Sequence, residues 1–369
     1  MYSVDSVVAN GVMMVTLADN PTPKNISYFW NFGSLLGLFL GLQIVSGVFL
    51  AFHYYRLCGS VFDALDIKAR DAFSLAILRV LHSKGASFFF IFLYFHMFRG
   101  VYYKSYRLYF VWLIGCVIYY VSMAVAFLGY VLPWGQMSFW GATVITNLFS
   151  AIPYVGDLVV SFLLGGFSIS SITISRFFCL HFLLPFVIAF FVVLHVVLLH
   201  FPGSSNPIGI SSSLAKIYFH GHFTYKDFVG FFFFLVLFRI LCIFSSHLLE
   251  DIEKFFQANS LVTPLHIVPE WYFLPAYAIL RAFPGKLSGI IAFVFFLGAY
   301  VIVSLLYFFT VSSSNPALSS GFCYLFLVWF FSYVLLGYIG SLPVDPLLIN
   351  VTYSLFIIFM FSLFWMCLF

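Results

Sequence analysis

The sequence predicts an all-α integral membrane protein that crosses the bilayer with eight transmembrane helices. Of its 369 residues, 63% are hydrophobic and only 8% are charged, and the mean hydropathy is +1.09. Soluble domains are about 45–50% apolar and about 25% charged, so nearly all of this chain must lie in the bilayer. Eight apolar stretches reach the roughly 20 residues that a transmembrane helix needs. Histidines and glycines repeat at a fourteen-residue spacing in the first four stretches, which indicates that these four form one bundle.

Four connections between the predicted spans are too long to be simple turns. The spans are residues 31–52, 76–103, 110–132, 174–201, 227–247, 287–311, 318–339 and 346–369. The long connections are residues 53–75, 133–173, 202–226 and 248–286. The chain therefore divides into an N-terminal segment 1–30, a helical bundle 31–201, a connection 202–226 and a C-terminal four-span region 227–369.

The distribution of charge predicts the orientation in the membrane. With eight spans both termini lie on one side, which carries six basic and three acidic residues, whereas the other side carries nine of each. The positive-inside rule places the termini in the matrix or cytoplasm. Segments 133–173 and 248–286 then lie on the outer side, and 202–226 lies on the inner side. The overall net charge of +4 comes from too few residues to indicate nucleic acid or acidic substrates.

The cysteines argue against several metal centres. They form no CxxC pair and no CxxCH, which disfavours a zinc site, an iron–sulfur cluster and covalently attached haem, but not non-covalent haem. Most lie in apolar runs, where a cysteine is usually a small core residue. No signal or transit peptide is expected at the start of the chain. The six cysteines are Cys58, Cys116, Cys179, Cys242, Cys323 and Cys367.

The connection 133–173 is apolar and aromatic, and Pro133 and Pro153 interrupt it. It is typical of short helices that lie at the membrane surface or in a protein cavity. The stretch "TPLHIVPEWYFLPAYAILRAFP" in 248–286 has the same character. Long apolar loops on one membrane face are commonly a binding site.

Two spans carry the histidine pairs. His82 and His96 are fourteen residues apart on the second span, and so are His181 and His195 on the fourth. Fourteen helical steps end about 40° short of four turns and rise about 21 Å, so each pair lies on one face at two depths. The two spans run in the same direction, so His82 can meet His181 and His96 can meet His195. Haem iron held by two imidazoles fits each gap.

A lone histidine in a membrane is more often a hydrogen-bonding residue between helices or part of a proton path. Two pairs with identical spacing on parallel spans are hard to obtain by chance, and they favour two bis-histidine haems. Such haems are held non-covalently, as b-type haems are. The repeated spacing is therefore the observation on which the cofactor prediction depends.

Glycines and arginines support the same prediction. Gly33 and Gly47 on the first span, and Gly115 and Gly129 on the third, share the fourteen-residue spacing. Glycine lets a flat macrocycle approach the backbone, although small-residue helix packing is the ordinary reading. Two arginines, one beyond each end of the second span's pair, suit haem propionates, although helix-end arginines also snorkel to the membrane surface. They are Arg79 and Arg99.

These residues resemble those of cytochrome b of the respiratory bc1 complex, complex III. The resemblance runs over nearly the whole chain and is densest in "FWNFGSLLG", "GASFFFIFLYFHMFRGVYY", "GYVLPWGQMSFWGATVITN", "GGFS" and "PEWYFLPAYAILR". An unsplit chain with fourteen-residue spacing in both pairs resembles the mitochondrial or bacterial form, and the modest length favours a mitochondrially encoded protein. The resemblance implies residence in the mitochondrial inner membrane with both termini on the matrix side. It also implies ubiquinol as substrate, a Rieske iron–sulfur protein and cytochrome c1 as partners, and a dimeric complex.

The resemblance implies two quinone sites. At the outer site Glu270 is the candidate proton acceptor, and Tyr277 is a second candidate catalytic residue. An exposed loop carboxylate and ordinary core aromatics are the alternatives here. The matching outer-site residues are Phe127, Tyr130, Gly141, Pro269, Glu270 and Tyr277. The matching inner-site residues are His200, Ser204 and Asp227, with Asn31, Ser34, Phe219 and Lys226 nearby.

The implied reaction is bifurcated quinol oxidation, coupled to proton translocation. One electron leaves to the iron–sulfur partner, and the other passes through the His82/His181 haem and the His96/His195 haem to the inner quinone site. Two other classes stay open: a secondary transporter with intramembrane histidines, and a dihaem anchor without an outer quinol site. The transporter should show inverted repeats and broken helices, which are not evident. The anchor has no need for the aromatic outer loops and Glu270.

Three features depart from the family. The segment "HLLEDIEKFFQANSLVTP" lacks the usual Asp-Pro-Asp-Asn run, so the family's partner contacts at that run are not carried over to this chain. Pro275 stands where an aromatic residue is more usual, close to Tyr277. Arg239 within the fifth span has no family role and is expected to face protein, headgroup or a partner subunit.

Overall fold

The computed structural model describes residues 19–54, 61–244, 249–309 and 320–367. The start of the chain, where no signal or transit peptide is expected, lies outside these ranges. Cys58 and the last two residues also lie outside them. Because both termini fall outside the described residues, the side of the membrane on which they lie stays a prediction. Within the described residues the protein is mostly helical.

Eight described helices are long and apolar enough to cross a membrane, which confirms the predicted fold class. The first four are α1 Phe32–His53, α3 Phe73–Tyr102, α4 Tyr109–Val131 and α7 Ser171–His200. The last four are α8 Phe219–Phe244, α10 Lys286–Phe309, α11 Ser320–Gly340 and α12 Pro346–Met366. Most bounds differ from the predicted ones by three residues or fewer.

The fifth span differs most from its prediction of 227–247. Helix α8 begins at Phe219, and His220 and Gly221 interrupt its first turn with non-helical backbone angles. Gly221 has a φ of +91°, a region that a residue without Cβ adopts at little cost. Hydropathy does not mark this start, because the first turn of the helix is polar and begins at the end of a strand.

The first four spans form two helix pairs. Helix α1 packs along α3, and α4 packs along α7, so each glycine-bearing span lies beside a histidine-bearing span. Helix α7 begins at a capping box, in which Ser170 and Thr173 exchange side-chain and backbone hydrogen bonds. The cap fixes the start of α7, which sets the depths at which its histidines lie.

Short helices fill the outer connections. The segment 133–173 contains α5 Gln136–Leu148 and α6 Gly156–Leu164, as its proline-broken apolar character predicts. The segment 53–75 contains α2 Val61–Asp71, and 248–286 contains α9 Leu274–Ala282 after two short 3₁₀ turns.

The two aromatic outer loops are joined to each other by hydrogen bonds around Gln136. Its backbone N–H donates to the Phe256 carbonyl over 2.8 Å, and its side chain donates to the Val262 carbonyl over 2.6 Å. The Asn259 N–H in turn donates to Gln136 Oε1 over 2.8 Å. The loops therefore form one cover over the outer end of the bundle.

A short antiparallel pair of strands closes the inner side. Strand β1 Pro21–Pro23 pairs with β2 Lys216–Tyr218, with Thr22 opposite Ile217. The pattern of apolar runs does not predict these strands, because each is three residues long and polar or proline-rich. The pairing brings the segment before α1 against the start of α8, which positions the inner polar residues described below.

Candidate functional site: two histidine pairs and the outer cavity

The structure brings the four histidines together in the predicted pairs. The ring centres of His82 and His181 lie 6.1 Å apart, and those of His96 and His195 lie 6.2 Å apart. Metal–imidazole bonds of about 2.0–2.1 Å place two rings on opposite sides of one ion roughly 6 Å apart between centres. Both separations therefore fit a metal ligated from two sides.

The kind of metal follows from the number of protein ligands. Among the described residues no group of three or more His, Cys, Asp and Glu side chains is arranged to hold an ion. Two imidazoles alone complete the coordination of an iron whose other four ligands come from a macrocycle. The residues present fit haem better than a zinc or non-haem iron site.

The outer pair has its Nδ1 atoms fixed by neighbours. His181 Nδ1 lies 2.9 Å from the Val125 carbonyl, which can only accept a hydrogen bond. His82 Nδ1 lies 2.9 Å from Ser46 Oγ, whose own proton is directed to the Leu42 carbonyl over 2.6 Å. Both Nδ1 atoms therefore act as donors, and both Nε2 atoms carry the lone pair that a metal requires.

The inner pair has a different neighbour. Arg99 Nη2 lies 3.2 Å from His96 Nδ1, and the guanidinium lies over the Trp30 ring at 5.1 Å. Arg99 Nε is buried and has no hydrogen-bond partner among the described residues. An unsatisfied guanidinium N–H beside the pair suits an anionic group, as the prediction of a propionate partner requires.

Each of the four predicted glycines faces a histidine ring. A Cβ added at Gly33 would lie 3.4 Å from His96 Cε1, and one at Gly47 would lie 3.1 Å from His82 Cε1. A Cβ at Gly115 would lie 3.3 Å from His195 Cε1. At Gly129 an added Cβ would collide with the ring of His181. The fourteen-residue spacing of the glycines thus makes room for the imidazoles themselves.

A cavity of about 560 Å³ adjoins the outer pair. Small-molecule and cofactor sites usually occupy about 300–1,000 Å³. Its lining includes both outer histidines, Gly47, Gly129 and Arg79.

Tyr130 and Glu270 of the predicted outer quinol site line this same cavity. Phe127, Gly141, Pro269 and Tyr277 are not among the described residues that line it. Tyr277 donates to the Ile267 carbonyl over 2.9 Å and packs under Arg281, whereas Phe127 contacts Phe177. A Cβ added at Gly141 would meet nothing within 4 Å, so open space adjoins that residue as well.

Glu270 lies at the start of the 3₁₀ turn Trp271–Phe273 and is half-buried. Burial raises the pKa of its carboxyl to about 7, while Lys254 and Lys84 act to lower the pKa and Glu250 and Asp251 add to the rise. A carboxyl with a pKa near neutrality can both take up and release a proton under working conditions.

Three residues of this site were missed by the sequence analysis. Glu250 Oε1 accepts from Lys84 Nζ over 2.9 Å and from Lys254 Nζ over 2.7 Å. Although burial acts to raise it, the two lysines lower the pKa of the Glu250 carboxyl. A signal was present: Lys84 stands in the apolar run "HSKGASFFFIF", where a lysine needs a partner.

Four of the predicted inner-site residues form a polar cluster. Ser34 Oγ donates to Asp227 Oδ1 over 2.7 Å, and Asn31 Nδ2 donates to the Lys226 carbonyl over 2.9 Å. Lys226 Nζ donates to the Ile26 carbonyl over 2.6 Å. These contacts join the start of α1 to the start of α8.

The other three predicted inner-site residues do not bond to that cluster. His200 ends α7, and its Nδ1 is buried with no hydrogen-bond partner among the described residues. Ser204 follows in the connection to β2, and the Phe219 N–H donates to the Asn20 carbonyl over 3.1 Å. The unpartnered imidazole nitrogen of His200 is available to a ligand.

The departures noted in the sequence have different outcomes. The segment that lacks Asp-Pro-Asp-Asn supplies Glu250 and Lys254, which form a triad of ion pairs with Lys84. Both residues also line the outer cavity, so this segment contributes to the site. Pro275 is buried and lies against Gly337. Arg239 is exposed on α8, so it does not face the described part of this chain, and its contact with headgroup or a partner subunit stays a prediction.

Comparison with known families agrees with this geometry. Residues 17–203 match the family described as cytochrome b/b6/petB, and residues 257–361 match the family described as cytochrome b(C-terminal)/b6/petD. A chain in a solved structure titled "Hyperthermophilic respiratory Complex III" is 28% identical, with a TM-score of 0.88. That match covers 99% of this chain and 98% of the other. With more than half of its residues matched by the family, the chain belongs to the cytochrome b family.

Proposed function

We propose that this chain is the core electron-transfer subunit of a ubiquinol:cytochrome c oxidoreductase, the respiratory bc1 complex. The observation that carries the proposal is the pair of stacked bis-histidine sites, the outer of which shares a cavity with Glu270. Membership of the cytochrome b family and the similarity to a respiratory Complex III chain support it.

The four histidines hold two b-type haems in this proposal. His82 and His181 ligate the outer haem, and His96 and His195 ligate the inner one. When bound, the haems supply one-electron carriers at two depths of the membrane, and a full crossing of one charge is worth about 2.3 kcal/mol per 100 mV.

The arginines serve the carboxylates of the two haems. Arg79 lines the outer cavity, and Arg99 has a buried Nε beside the inner pair. A carboxylate that drew the Arg99 guanidinium away from His96 Nδ1 would let that nitrogen carry the proton. Nε2 of His96 would then have its lone pair free for iron.

At the outer site Glu270 takes a proton from quinol. Its carboxylate is the acceptor, and burial raises the pKa of this carboxyl to about 7, which is close to the working pH. Tyr130 lines the cavity beside Glu270 and is proposed to line the quinol position. Phe127, Gly141, Pro269 and Tyr277 are proposed for the same role by resemblance to the family, although they lie outside the described cavity lining. The aromatic loops that cover the cavity exclude water from the reacting hydroxyl.

At the inner site the polar cluster of Asn31, Ser34, Lys226 and Asp227 supports quinone reduction. Asp227 contributes a carboxyl to this cluster, and the buried Nδ1 of His200, which has no hydrogen-bond partner among the described residues, is proposed to bond a quinone carbonyl. Ser204 and Phe219 complete the proposed set. Proton release outside and uptake inside would contribute to proton translocation.

The remaining parts of the complex come from other chains. An iron–sulfur protein of the Rieske type and cytochrome c1 are the proposed partners, because this sequence has no ligand set for an iron–sulfur cluster or a covalent haem. The proposal places the complex, as a homodimer, in the mitochondrial inner membrane. The modest charge asymmetry of the loops supports termini on the matrix side.

A redox titration of the purified complex, with a count of haems per chain, tests this function. The expected result is two b-type haems with separate midpoint potentials, both reduced by added quinol. A colourless chain would favour the transporter alternative. Two haems with no quinol oxidation that depends on the outer loops would favour the dihaem anchor.

A further inference from the structure

The Lys84–Glu250–Lys254 triad concentrates three charges at the outer end of the bundle. The side chains of Lys84, Glu250 and Lys254 are 5%, 8% and 17% exposed. Removing charges from water is costly, and a surface tether would gain nothing from such depth. The position of the triad therefore calls for a reason beyond holding the loop to the helix.

The triad joins two elements of the site. Lys84 follows His82 by two residues on α3, whereas Glu250 and Lys254 belong to the outer connection between α8 and α9. Glu250, Lys254 and Glu270 all line the outer cavity. Two lysines and one carboxylate leave one net positive charge on this wall.

Other charged and titratable groups also face Glu270. Arg79 and the two histidines of the outer pair line the same cavity. Asp251 adds negative charge from the outer connection. Two phenols, Tyr130 from α4 and Tyr272 from the adjoining turn, interact electrostatically with the carboxylate of Glu270.

We propose that the Lys84–Glu250–Lys254 triad is an electrostatic positioning unit that keeps the carboxylate form of Glu270 available for proton uptake. This inference rests on the proposed function of Glu270. In this unit Glu250 holds both lysines in place through its two ion pairs. Lys84 supplies a positive charge from α3, and Lys254 supplies a second one from the outer connection.

The physical reason is a balance of opposing effects. Burial favours the neutral acid at Glu270, and a protonated carboxyl cannot accept a proton from quinol. Lys254 and Lys84 oppose burial, whereas Glu250 and Asp251 reinforce it. In a cavity that water screens poorly, one unit charge on the wall shifts the pKa of a carboxyl that lines the same cavity by on the order of one unit. The lysines therefore decide whether Glu270 is ionised near neutrality.

The test is a pH titration of the Glu270 carboxyl in the intact complex. The protonated carboxyl has an infrared C=O band, assigned as the band that Glu270→Gln removes. Lys254→Gln should raise the midpoint of this band by on the order of one pH unit. Lys254→Arg keeps the charge and should restore the original midpoint. The pH profile of quinol oxidation should move with the band.

The matched control is Glu253→Gln. Glu253 is an exposed carboxylate on the same short 3₁₀ turn as Lys254, so its removal should leave the midpoint unchanged. If the complex with Lys254→Gln does not assemble, the Glu250→Gln variant tests the inference instead. Loss of that carboxylate increases the positive charge that faces Glu270, so the midpoint should fall.

The outcomes separate this inference from the function on which it rests. A band that Glu270→Gln removes, but that neither Lys254→Gln nor Glu250→Gln shifts, overturns the inference and leaves the proton-accepting role of Glu270 intact. Equal shifts in Lys254→Gln and Lys254→Arg would mean a merely structural role for Lys254, which also overturns it. A pH profile of quinol oxidation that survives Glu270→Gln contradicts the proposed role of Glu270 itself.

Discussion

The outer and inner histidine pairs have nearly the same internal geometry but different surroundings. Their ring centres are 6.1 and 6.2 Å apart, and the same spacing on both spans lets the histidines meet in two pairs at two depths. Around the outer pair, Ser46 and the Val125 carbonyl hold the Nδ1 atoms, and a cavity of about 560 Å³ adjoins the rings. At the inner pair a guanidinium approaches His96.

This difference shows what the helix period does and does not determine. The period sets the face and the depth at which each histidine lies on its helix. The neighbours set the protonation of each ring and the reactions that can occur beside it. The outer pair lies next to a carboxyl with a pKa near 7, whereas the inner pair lies next to an always-charged arginine. The two pairs are therefore alike in ring separation but differ in the groups that surround them.

Replacing one ligand from each pair gives the largest expected effect. His82→Leu should remove the outer haem and His96→Leu the inner haem, so each complex should retain about one haem per chain, because one imidazole alone holds the macrocycle weakly. Pyridine haemochrome content and reduced-minus-oxidised spectra measure this. His222→Leu, at an exposed position on α8, is the control and should keep both haems. Two normal haems in His96→Leu would contradict the pairing.

Alanine substitutions at two glycines test the same pairs by steric means. A Cβ at Gly129 would collide with the His181 ring, whereas a Cβ at Gly33 would lie at an ordinary 3.4 Å from His96. Gly129→Ala should therefore lose or displace the outer haem, and Gly33→Ala should keep both. Haem stoichiometry and low-temperature electron paramagnetic resonance distinguish the two sites. Equal effects of the two substitutions would mean that contact with the histidine rings does not explain the glycines.

Much of the fold and the pairing of the histidines was predictable from the sequence. The apolar stretches predicted all eight spans, since hydrocarbon leaves the chain few alternatives to helices of about 20 residues. The histidine spacing predicted which rings meet, because a helix converts a fixed sequence spacing into a fixed face and rise. The strands β1 and β2 and the early start of α8 were not predicted, since they depend on pairing across 195 residues rather than on local pattern.

The surroundings of the pairs were harder to predict. Ser46 is an ordinary serine in an apolar helix, and its bond to His82 depends on the rotation of α1 relative to α3. Glu250 and Lys254 could be recognised as a departure from the family, but their partner Lys84 lies far away in sequence. The predicted outer-site residues Phe127 and Tyr277 lie outside the cavity lining, since their side chains point to Phe177 and the Ile267 carbonyl.

The pH dependence of quinol oxidation tests the carboxyl that distinguishes the outer side. Glu270 accepts a proton only when ionised, so with a pKa of about 7 the rate should rise with pH, reach half of its maximum at about pH 7 and level off above that. Glu270→Gln should slow quinol oxidation by about 100-fold or more and abolish this rise, while both haems remain. Steady-state rates and haem content measured across pH check both points. Asp157→Asn, at an exposed carboxylate on α6, is the control and should leave the profile unchanged.

The smallest expected effect comes from the hydrogen bond between His82 Nδ1 and Ser46 Oγ in the outer pair. Ser46 Oγ accepts from His82 Nδ1, which would make the imidazole a stronger donor to a bound iron and favour the oxidised state of that iron. Ser46→Ala removes an interaction worth on the order of 1 kcal/mol, so the outer haem's midpoint potential should become more positive by about 40 mV. The inner haem is the internal control, because Ser46 does not contact His96 or His195. If both potentials move together, the serine acts through the packing of the bundle, and the difference between the two pairs does not originate at Nδ1.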